Sequence, residues 1–251
     1  MRPPQIIAHR GASHDAPENT LAAFKLGWQQ GADAVELDVW QTADGQIVCL
    51  HDPDTERVTG ARLEVAAATA AQLAALDAGA WKGPQWKGER IPKLADVLPL
   101  MPPDKGLVIE VKCGPEILPE LARVLRAAGT PHRRLLIISF HLDVCAAAKK
   151  RFPDARLLFL SSFKQDKQTG AWRPTAAELI RQAKEAGLDG LNLSGKGPLD
   201  AAFIRQVHDA GLKCYVWTVD DPEAARRLRA AGIDGITTNR PGWLRAQLES
   251  R

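Results

Sequence analysis

The stretch TAAELIRQAKEAGLDGLNLSGKGPLDAAFIRQVHDAGLKCYVWTVDDPEAARRLRAAGIDGITT, residues 175–238, repeats one pattern three times. A helical run comes first, from Thr175 to Ala186, from Leu199 to Ala210 and from Pro222 to Ala231. A glycine closes each helix, where the chain needs a left-handed backbone. A short apolar run then follows, Gly190-Leu191-Asn192-Leu193, Cys214-Tyr215-Val216-Trp217 and Gly235-Ile236-Thr237-Thr238. Helices alternating with short strands in this way are successive βα units of a parallel sheet.

Working towards the N-terminus, Ile6-Ile7-Ala8, Ala34-Val35-Glu36-Leu37-Asp38, Leu107 to Val111, Leu135 to Ile138 and Arg156 to Leu160 bring the strand candidates to eight. Helical patterns from Glu116 to Ala128 and from Asp143 to Arg151 separate the later ones. A chain of 251 residues with 45% hydrophobic content can bury one substantial core. The expected fold is therefore α/β, a (β/α)8 TIM-type barrel, with a doubly wound open sheet as the second choice.

A ninth apolar run, Ile47 to Leu50, follows the turn signal Asp44-Gly45 and reads as the return arm of a hairpin on strand 2. With a two-residue turn, Thr42 faces Ile47, Trp40 faces Cys49 and Asp38 faces His51, so local geometry alone pairs a carboxylate with an imidazole. The segment of about residues 53–106 is too long for an ordinary loop and carries its own alanine-rich helical pattern. It reads as a small insertion over one mouth of a single domain spanning 1–251, with Trp81 and Trp86 as possible walls of a substrate site.

Composition narrows the function. Thirty-three Lys and Arg stand against 30 Asp and Glu, a net charge of +3, which lacks the concentrated basic footprint of a nucleic-acid binder. A small anionic ligand is compatible. Cys49, Cys113, Cys145 and Cys214 are too scattered for a zinc cluster and read as free thiols in a reducing compartment. No apolar run approaches membrane-spanning length, and the chain reaches strand-like Gln5-Ile6-Ile7-Ala8 without room for a leader, so a cytoplasmic protein with no stable membrane insertion is expected.

In a barrel of this type the chemistry sits at the C-terminal ends of the strands. His9-Arg10, Glu36 with Asp38, Glu110 with Lys112, and Trp217-Thr218 all fall there. Strand side chains alternate faces, so Glu36 shares a side with Asp38 and Glu110 with Lys112. Any one of these is as readily an ordinary ion pair as a functional group. Three carboxylates converging on one rim instead call for a hard divalent cation, Mg²⁺ or Ca²⁺. His9 and His51 on the same rim suit acid–base work, and Arg10 and Lys112 suit a phosphodiester whose negative charge grows in the transition state. Trp217 reads as core packing or as an apolar wall for substrate. His14, His132, His141 and His208 lack such a setting, although His141 lies close enough to a strand end to approach the rim.

Read in order, the motifs His9-Arg10-Gly11, Pro17-Glu18-Asn19-Thr20, Glu36-Leu37-Asp38-Val39, Thr42-Ala43-Asp44-Gly45, Val48 to Asp52, Leu76-Asp77-Ala78-Gly79, Ile91-Pro92-Lys93-Leu94, Ile109-Glu110-Val111-Lys112, Ser139-Phe140 and Val216-Trp217-Thr218-Val219 resemble the glycerophosphodiester phosphodiesterase family over nearly the whole chain. The resemblance implies a variant barrel with a small insertion that cuts a glycerophosphodiester, its small-molecule substrate, into glycerol 3-phosphate and an alcohol. It also implies metal ligands at Glu36, Asp38 and Glu110, catalytic histidines at His9 and His51, phosphate contacts from Arg10 and Lys112, and loop-bracing roles for Glu18 and Thr20. His9 is assigned as base and His51 as acid. One departure stands out: position 239, usually aspartate in that family, is Asn239. A lysophospholipase D or phospholipase C-like enzyme would use the same rim on a lipid, but the insertion shows no strongly apolar amphipathic stretch. A non-catalytic binding module on the same barrel would have no need of both histidines and all three acids.

Overall fold

The computed structural model describes residues 3–249. Its strands are β1 (Gln5–Ala8), β2 (Ala34–Gln41), β3 (Ile47–Cys49), β4 (Gly106–Val111), β5 (Leu135–Ser139), β6 (Arg156–Ser161), β7 (Lys164–Gln165), β8 (Trp172–Arg173), β9 (Gly190–Ser194), β10 (Lys213–Trp217) and β11 (Gly235–Thr238). The helices are α1 (Leu21–Gln29), α2 (Glu56–Thr59), α3 (Ala70–Ala74), α4 (Leu94–Val97), α5 (Leu118–Ala127), α6 (Leu142–Arg151), α7 (Ala176–Glu185), α8 (Ala201–Asp209), α9 (Pro222–Ala230) and α10 (Pro241–Glu249).

Eight strands run parallel in the order β1-β11-β10-β9-β6-β5-β4-β2, and β1 also pairs with β2. That last pairing, Ile7 with Ala34 and Ala8 with Val35, closes the sheet into the expected barrel and rules out the open doubly wound alternative. Ile7, Val108, Leu136, Ile138, Leu158, Leu160 and Tyr215 pack together inside it. The alternate residues of the same strands, such as Val35, Leu37, Val39, Leu107 and Ile109, pack outward beneath the helices. This two-residue alternation puts Ala34, Glu36 and Asp38 of β2 on the inner face, with Val108 and Glu110 of β4 beside them.

Local chemistry sets the helix boundaries. Thr175 and Glu178 form a reciprocal capping box that starts α7, and Ala176, Leu179 and Ala183 form its buried stripe. Asp200 caps α8, and Asp221, followed by Pro222 in the first turn, caps α9. The expected helix from Glu116 begins as a 3-10 turn at Pro115–Ile117 and becomes α-helical at Leu118. The β7–β8 hairpin, between β6 and α7, was not anticipated from the sequence; its pairs Lys164 with Arg173 and Gln165 with Trp172 are too short and polar to register as strands.

The hairpin of β2 and β3 forms, but its register is one residue from the expected one. Gln41 pairs with Ile47, Trp40 with Val48 and Val39 with Cys49. The loop holds three residues, Ala43 to Gly45: Thr42 N donates to Gln46 O (2.9 Å), Gly45 N donates to Thr42 O (2.9 Å), and Gly45 has φ +74°. This is the bulged alternative to a two-residue turn. Asp38 therefore lies opposite Leu50, whose N–H donates to Asp38 O at 3.2 Å, and not opposite His51.

Between β3 and β4, short helices and turns build a second apolar cluster from Val48, Leu50, Val58, Val65, Leu73 and Ile91, seated on the hairpin. Towards its end the same segment joins the main core through Leu94, Val97 and Leu98.

Candidate active site

The first loop is tightly packed against α1. Arg10 (φ +52°) and Gly11 (φ +83°) both have left-handed backbone. A Cβ on Gly11 would lie 2.4 Å from the carbonyl carbon of Ala23, so only glycine allows α1 to press this closely on the loop. Arg10 carries the strain of a left-handed side-chain residue, and its N–H donates to Glu36 Oε2 at 2.8 Å. Asn19 (φ +56°) is a residue type that tolerates this conformation. Its amide donates to Asp38 Oδ2 (2.8 Å) and its carbonyl oxygen accepts from Asp38 N (3.2 Å), while its own N–H donates to Arg10 O (3.0 Å). Thr20 caps α1 by accepting from Ala23 N.

Glu36, Asp38 and Glu110 are all buried, and one oxygen from each lies within 4.8 Å of the others. Burial first, and then the charges of Asp38 and Glu110, push the Glu36 carboxyl well above its ordinary range. Burial and Asp38 raise Glu110 to about 7, against the opposing pull of Lys112. Asp38 Oδ1 is buried and makes no hydrogen bond among the described residues. Lys112 Nζ, 2.7 Å from Glu110 Oε1 and 3.5 Å from Asp38 Oδ1, offsets part of this charge. A divalent cation with oxygen ligands fits this set: the three carboxylates bring oxygens within 4.8 Å of one another, and Asp38 keeps a buried oxygen with no hydrogen bond among the described residues.

Beside the acids is a cavity of about 220 Å³, lined by His9, Arg10, Glu36, His51, Glu110, Lys112 and Trp217 together with Ile138, Phe140, Leu160, Asn192 and Thr237. Seven of the eight residues singled out in the sequence meet there, and Asp38 stands beside them, 3.3 Å from Arg10 Nε. Trp217 meets Phe140 edge to face at 5.6 Å between ring centres, and its Nε1 donates to Asn192 O at 3.2 Å. Trp81 and Trp86 line no part of the cavity, and His141 is exposed outside it.

His51 reaches the cavity although the register does not place it opposite Asp38. Its Nδ1 lies 2.7 Å from Asp52 Oδ1, and Arg57 Nε lies 2.5 Å from Asp52 Oδ2. Arg57 also grips Glu18 through both terminal nitrogens, and Glu18 accepts from Arg10 Nη1 at 2.8 Å. Burial opposes ionisation of Glu18, but the hydrogen bond from Arg57 and the Arg10 charge hold its carboxyl at about 2. A continuous chain of ion pairs thus links the two sides of the site. Burial and then the Arg10 charge lower His9 to about 4, while burial is the main cause of a downward shift at His51. The His9 ring is neutral near pH 7.

Several contributors carry no isolated sequence signal. Asn19 and Asp52 lie within the quoted motifs, yet their contacts to Asp38 and His51 depend on the tertiary fold. Asn239 Oδ1 lies 2.7 Å from His9 Nδ1, and behind it stands Asp220, which nothing in the sequence marks out. Asn192 is buried and lines the cavity, and its Oδ1 has no protein partner among the described residues. Its position three residues into a strand candidate is the only hint the sequence offers.

Comparison with known proteins places this geometry among relatives. The Glycerophosphoryl diester phosphodiesterase family matches residues 9–243. A glycerophosphodiester phosphodiesterase of Caldanaerobacter subterraneus subsp. tengcongensis is 34% identical, over 95% of this chain and 95% of its own length. Among solved structures, an Oleispira antarctica phosphodiesterase in complex with the product sn-glycerol-3-phosphate superposes with a TM-score of 0.87 at 29% identity, covering 99% of this chain and 98% of that one. The glycerophosphodiester phosphodiesterase of Agrobacterium tumefaciens gives a TM-score of 0.78 at 28% identity, over 97% and 99%.

Proposed function

The chain belongs to the glycerophosphoryl diester phosphodiesterase family, and from that premise we propose that it hydrolyses glycerophosphodiesters to glycerol 3-phosphate and an alcohol at the C-terminal mouth of the barrel. One observation carries the reading: two imidazoles, two cationic side chains and the carboxylates of Glu36 and Glu110 line one small cavity, with the third crowded carboxylate, Asp38, beside it.

Glu36, Asp38 and Glu110 would hold one divalent cation, Mg²⁺ or Ca²⁺, which supplies Lewis-acid stabilisation of charge on the phosphate oxygens. Arg10 and Lys112 bind the phosphate. Both lean on carboxylates, Arg10 on Glu18 and Asp38, Lys112 on Glu110 and Asp38, so each is held at the cavity. Phosphate replaces part of that pairing as charge develops. His9 takes the proton of the attacking hydroxyl, and His51, braced by Asp52, protonates the departing alkoxide. Trp217 and Phe140 wall the mouth, and Asn192 offers its free carbonyl oxygen to a substrate hydroxyl.

The cavity, about 220 Å³, is smaller than the pockets of roughly 300–1,000 Å³ that enclose drug-sized ligands. That favours a glycerophosphodiester with a small alcohol over a long-chain lipid. No helix among the described residues is long and apolar enough to cross a membrane, and the four cysteines are free, which fits action in the reducing cytoplasm. We infer one barrel domain over residues 1–251, with its insertion at about 53–106.

The deciding experiment is a panel of glycerophosphodiesters, with choline, ethanolamine, glycerol and inositol as leaving alcohols, assayed with Mg²⁺ or Ca²⁺ and after chelation. Glycerol 3-phosphate should appear with metal and not without it. Turnover of a long-chain lysophospholipid in preference to every small diester would overturn the substrate assignment, and cation binding without turnover of any diester would indicate a binding module.

A further inference from the structure

We propose that Asp220 and Asn239 are positioning residues that fix the tautomer of His9, so that Nδ1 carries the ring proton and Nε2 offers a lone pair to the cavity. The proposal rests on the reading of His9 as the base and deepens it.

Asp220 is the outermost member of the network behind His9. Its Oδ1 accepts from Thr238 Oγ1 (2.8 Å) and from Asn239 N (2.8 Å), and its Oδ2 lies 2.5 Å from the side-chain amide of Asn239. An ionised carboxylate accepts hydrogen bonds and donates none. The amide must therefore turn its NH₂ group towards Asp220, which aims its carbonyl oxygen the other way. That oxygen lies 2.7 Å from His9 Nδ1 and 2.8 Å from Ser13 Oγ. A carbonyl oxygen has no proton to give, so the hydrogen in the contact with His9 belongs to Nδ1.

A neutral imidazole has one ring proton, and Asp220, acting through Asn239, decides which nitrogen holds it. Nε2 makes no hydrogen bond to the protein among the described residues, and His9 lines the cavity. When the nucleophile attacks, its proton moves to Nε2 while the proton on Nδ1 stays against Asn239. His51 enters as the imidazolium, its Nδ1–H held by Asp52, and gives its Nε2 proton to the leaving alkoxide; His9 ends protonated and His51 neutral, so the two transfers balance. Asn239 is a neutral spacer that transmits orientation without setting a negative charge against the ring. The carboxylate stands one side chain further back. Asp220 lies just after β10 and Asn239 just after β11, so their bonds also pin two neighbouring strand ends.

The test uses the full-length enzyme and glycerophosphocholine. Long-range ¹H–¹⁵N correlation spectra of the histidine rings, recorded without substrate, should show His9 protonated on Nδ1; protonation on Nε2 would overturn the proposal. Asp220→Asn gives Asn239 a partner that it can face either way round. We expect kcat to fall by about 10²- to 10⁴-fold, the scale seen when a catalytic histidine loses its orienting carboxylate, with little change in KM. The double exchange Asp220→Asn with Asn239→Asp restores an oxygen acceptor at Nδ1 and an amide donor behind it, and should recover at least tenfold of that loss. Parent-like kcat in Asp220→Asn, or no recovery in a folded double exchange, sinks the proposal. If Asp220→Asn fails to fold, the ring spectrum of the parent and the double exchange decide. A parent enzyme that releases no glycerol 3-phosphate would refute the hydrolase reading instead, and the tautomer could still be read.

Discussion

Glu36 is the residue at which function and stability conflict most directly. It is buried among like charges, and its backbone partner, the N–H of Arg10, satisfies only one of its oxygens. Glu36→Gln keeps an oxygen for that N–H and removes the repulsion. In metal-free buffer at neutral pH we expect a higher Tm than the parent's, while kcat falls by several orders of magnitude, because a bound cation contributes several kcal/mol to transition-state stabilisation. A lower Tm in a scanning calorimeter would mean that the carboxylate is a structural group. The two histidines separate by leaving group. His51→Ala should nearly abolish hydrolysis of a choline diester yet retain much more activity on a nitrophenyl glycerophosphodiester, whose leaving group needs no protonation. Equal losses on both substrates would remove the acid role from His51. Arg10 combines a left-handed backbone, a bond to Glu36 and a guanidinium shared between Glu18 and Asp38. A lysine there cannot reproduce the fork, so steady-state kinetics of Arg10→Lys should show kcat/KM well below the parent's.

Among the elements, the β2–β3 hairpin shows how a single residue of register changes a chemical argument. Asp44-Gly45 is a strong two-residue turn signal, and the sequence contains no competing one. The tertiary structure supplies the competitor: Ala43 N donates to Ala68 O of the inserted segment, Ala70 N donates to Asp44 Oδ1, and Thr42 Oγ1 bonds both Asp44 and Gln46. These contacts hold three residues in the loop. A slip of one residue exchanges the faces of every side chain in a strand, so Leu50, and not His51, lies opposite Asp38. Deleting Ala43 would force the two-residue turn, and with His51 displaced we expect kcat to fall about 10²-fold or more, the usual consequence of misplacing a catalytic group by an ångström. Parent-like turnover in the deletion variant would show that His51 is placed by the inserted segment alone. The contact of α1 with the first loop is equally strict. Gly11→Ala adds about 1–2 kcal/mol of left-handed strain and about 1–3 kcal/mol of overpacking against Ala23, together roughly 5–20 °C in Tm. An unchanged melt would contradict the close approach.

For the molecule as a whole, closure of the barrel and charge in its mouth are linked. The first strand pairs with the last, and His9, one residue past β1, meets Asn239, one residue past β11. Without metal, this geometry confines like charges. Glu110 titrates at about 7 in the folded protein, above its ordinary 4.5, and Glu36 is shifted in the same direction. A raised carboxyl keeps its proton in the folded state after the unfolded chain has lost it, so the folded form binds more protons throughout this interval. Stability therefore falls as pH rises from 4.5 through about 7, where Glu110 loses its proton, and Glu36 adds a loss of the same sign. A divalent cation replaces those protons. The gain in Tm on adding Mg²⁺ or Ca²⁺ should be slight near the bottom of the interval and grow as pH rises through it. At a hundredfold excess over Kd it should reach about 2.7 kcal/mol, roughly 5–10 °C. Scanning calorimetry across that range checks this, and a metal-induced gain independent of pH would disconnect the cation from these acids.

Much of the chain could be read without its structure, for reasons that are local. The glycine-punctuated repeat of residues 175–238 specifies βα units because helix stops and apolar strand runs are properties of a few neighbouring residues. Alternation along a strand puts Glu36 with Asp38, and Glu110 with Lys112, on one face whatever lies across the barrel. Contacts between distant segments were decided only in three dimensions. Packing against Ala68 and Ala70 chose the hairpin register. Barrel closure brought Asn239 to His9 across 230 residues of sequence, and the neighbouring strand end carried Asp220 in behind it. Side chains that meet only after the sheet closes leave no pattern along the chain, since neither their spacing nor their composition depends on the partner they will find.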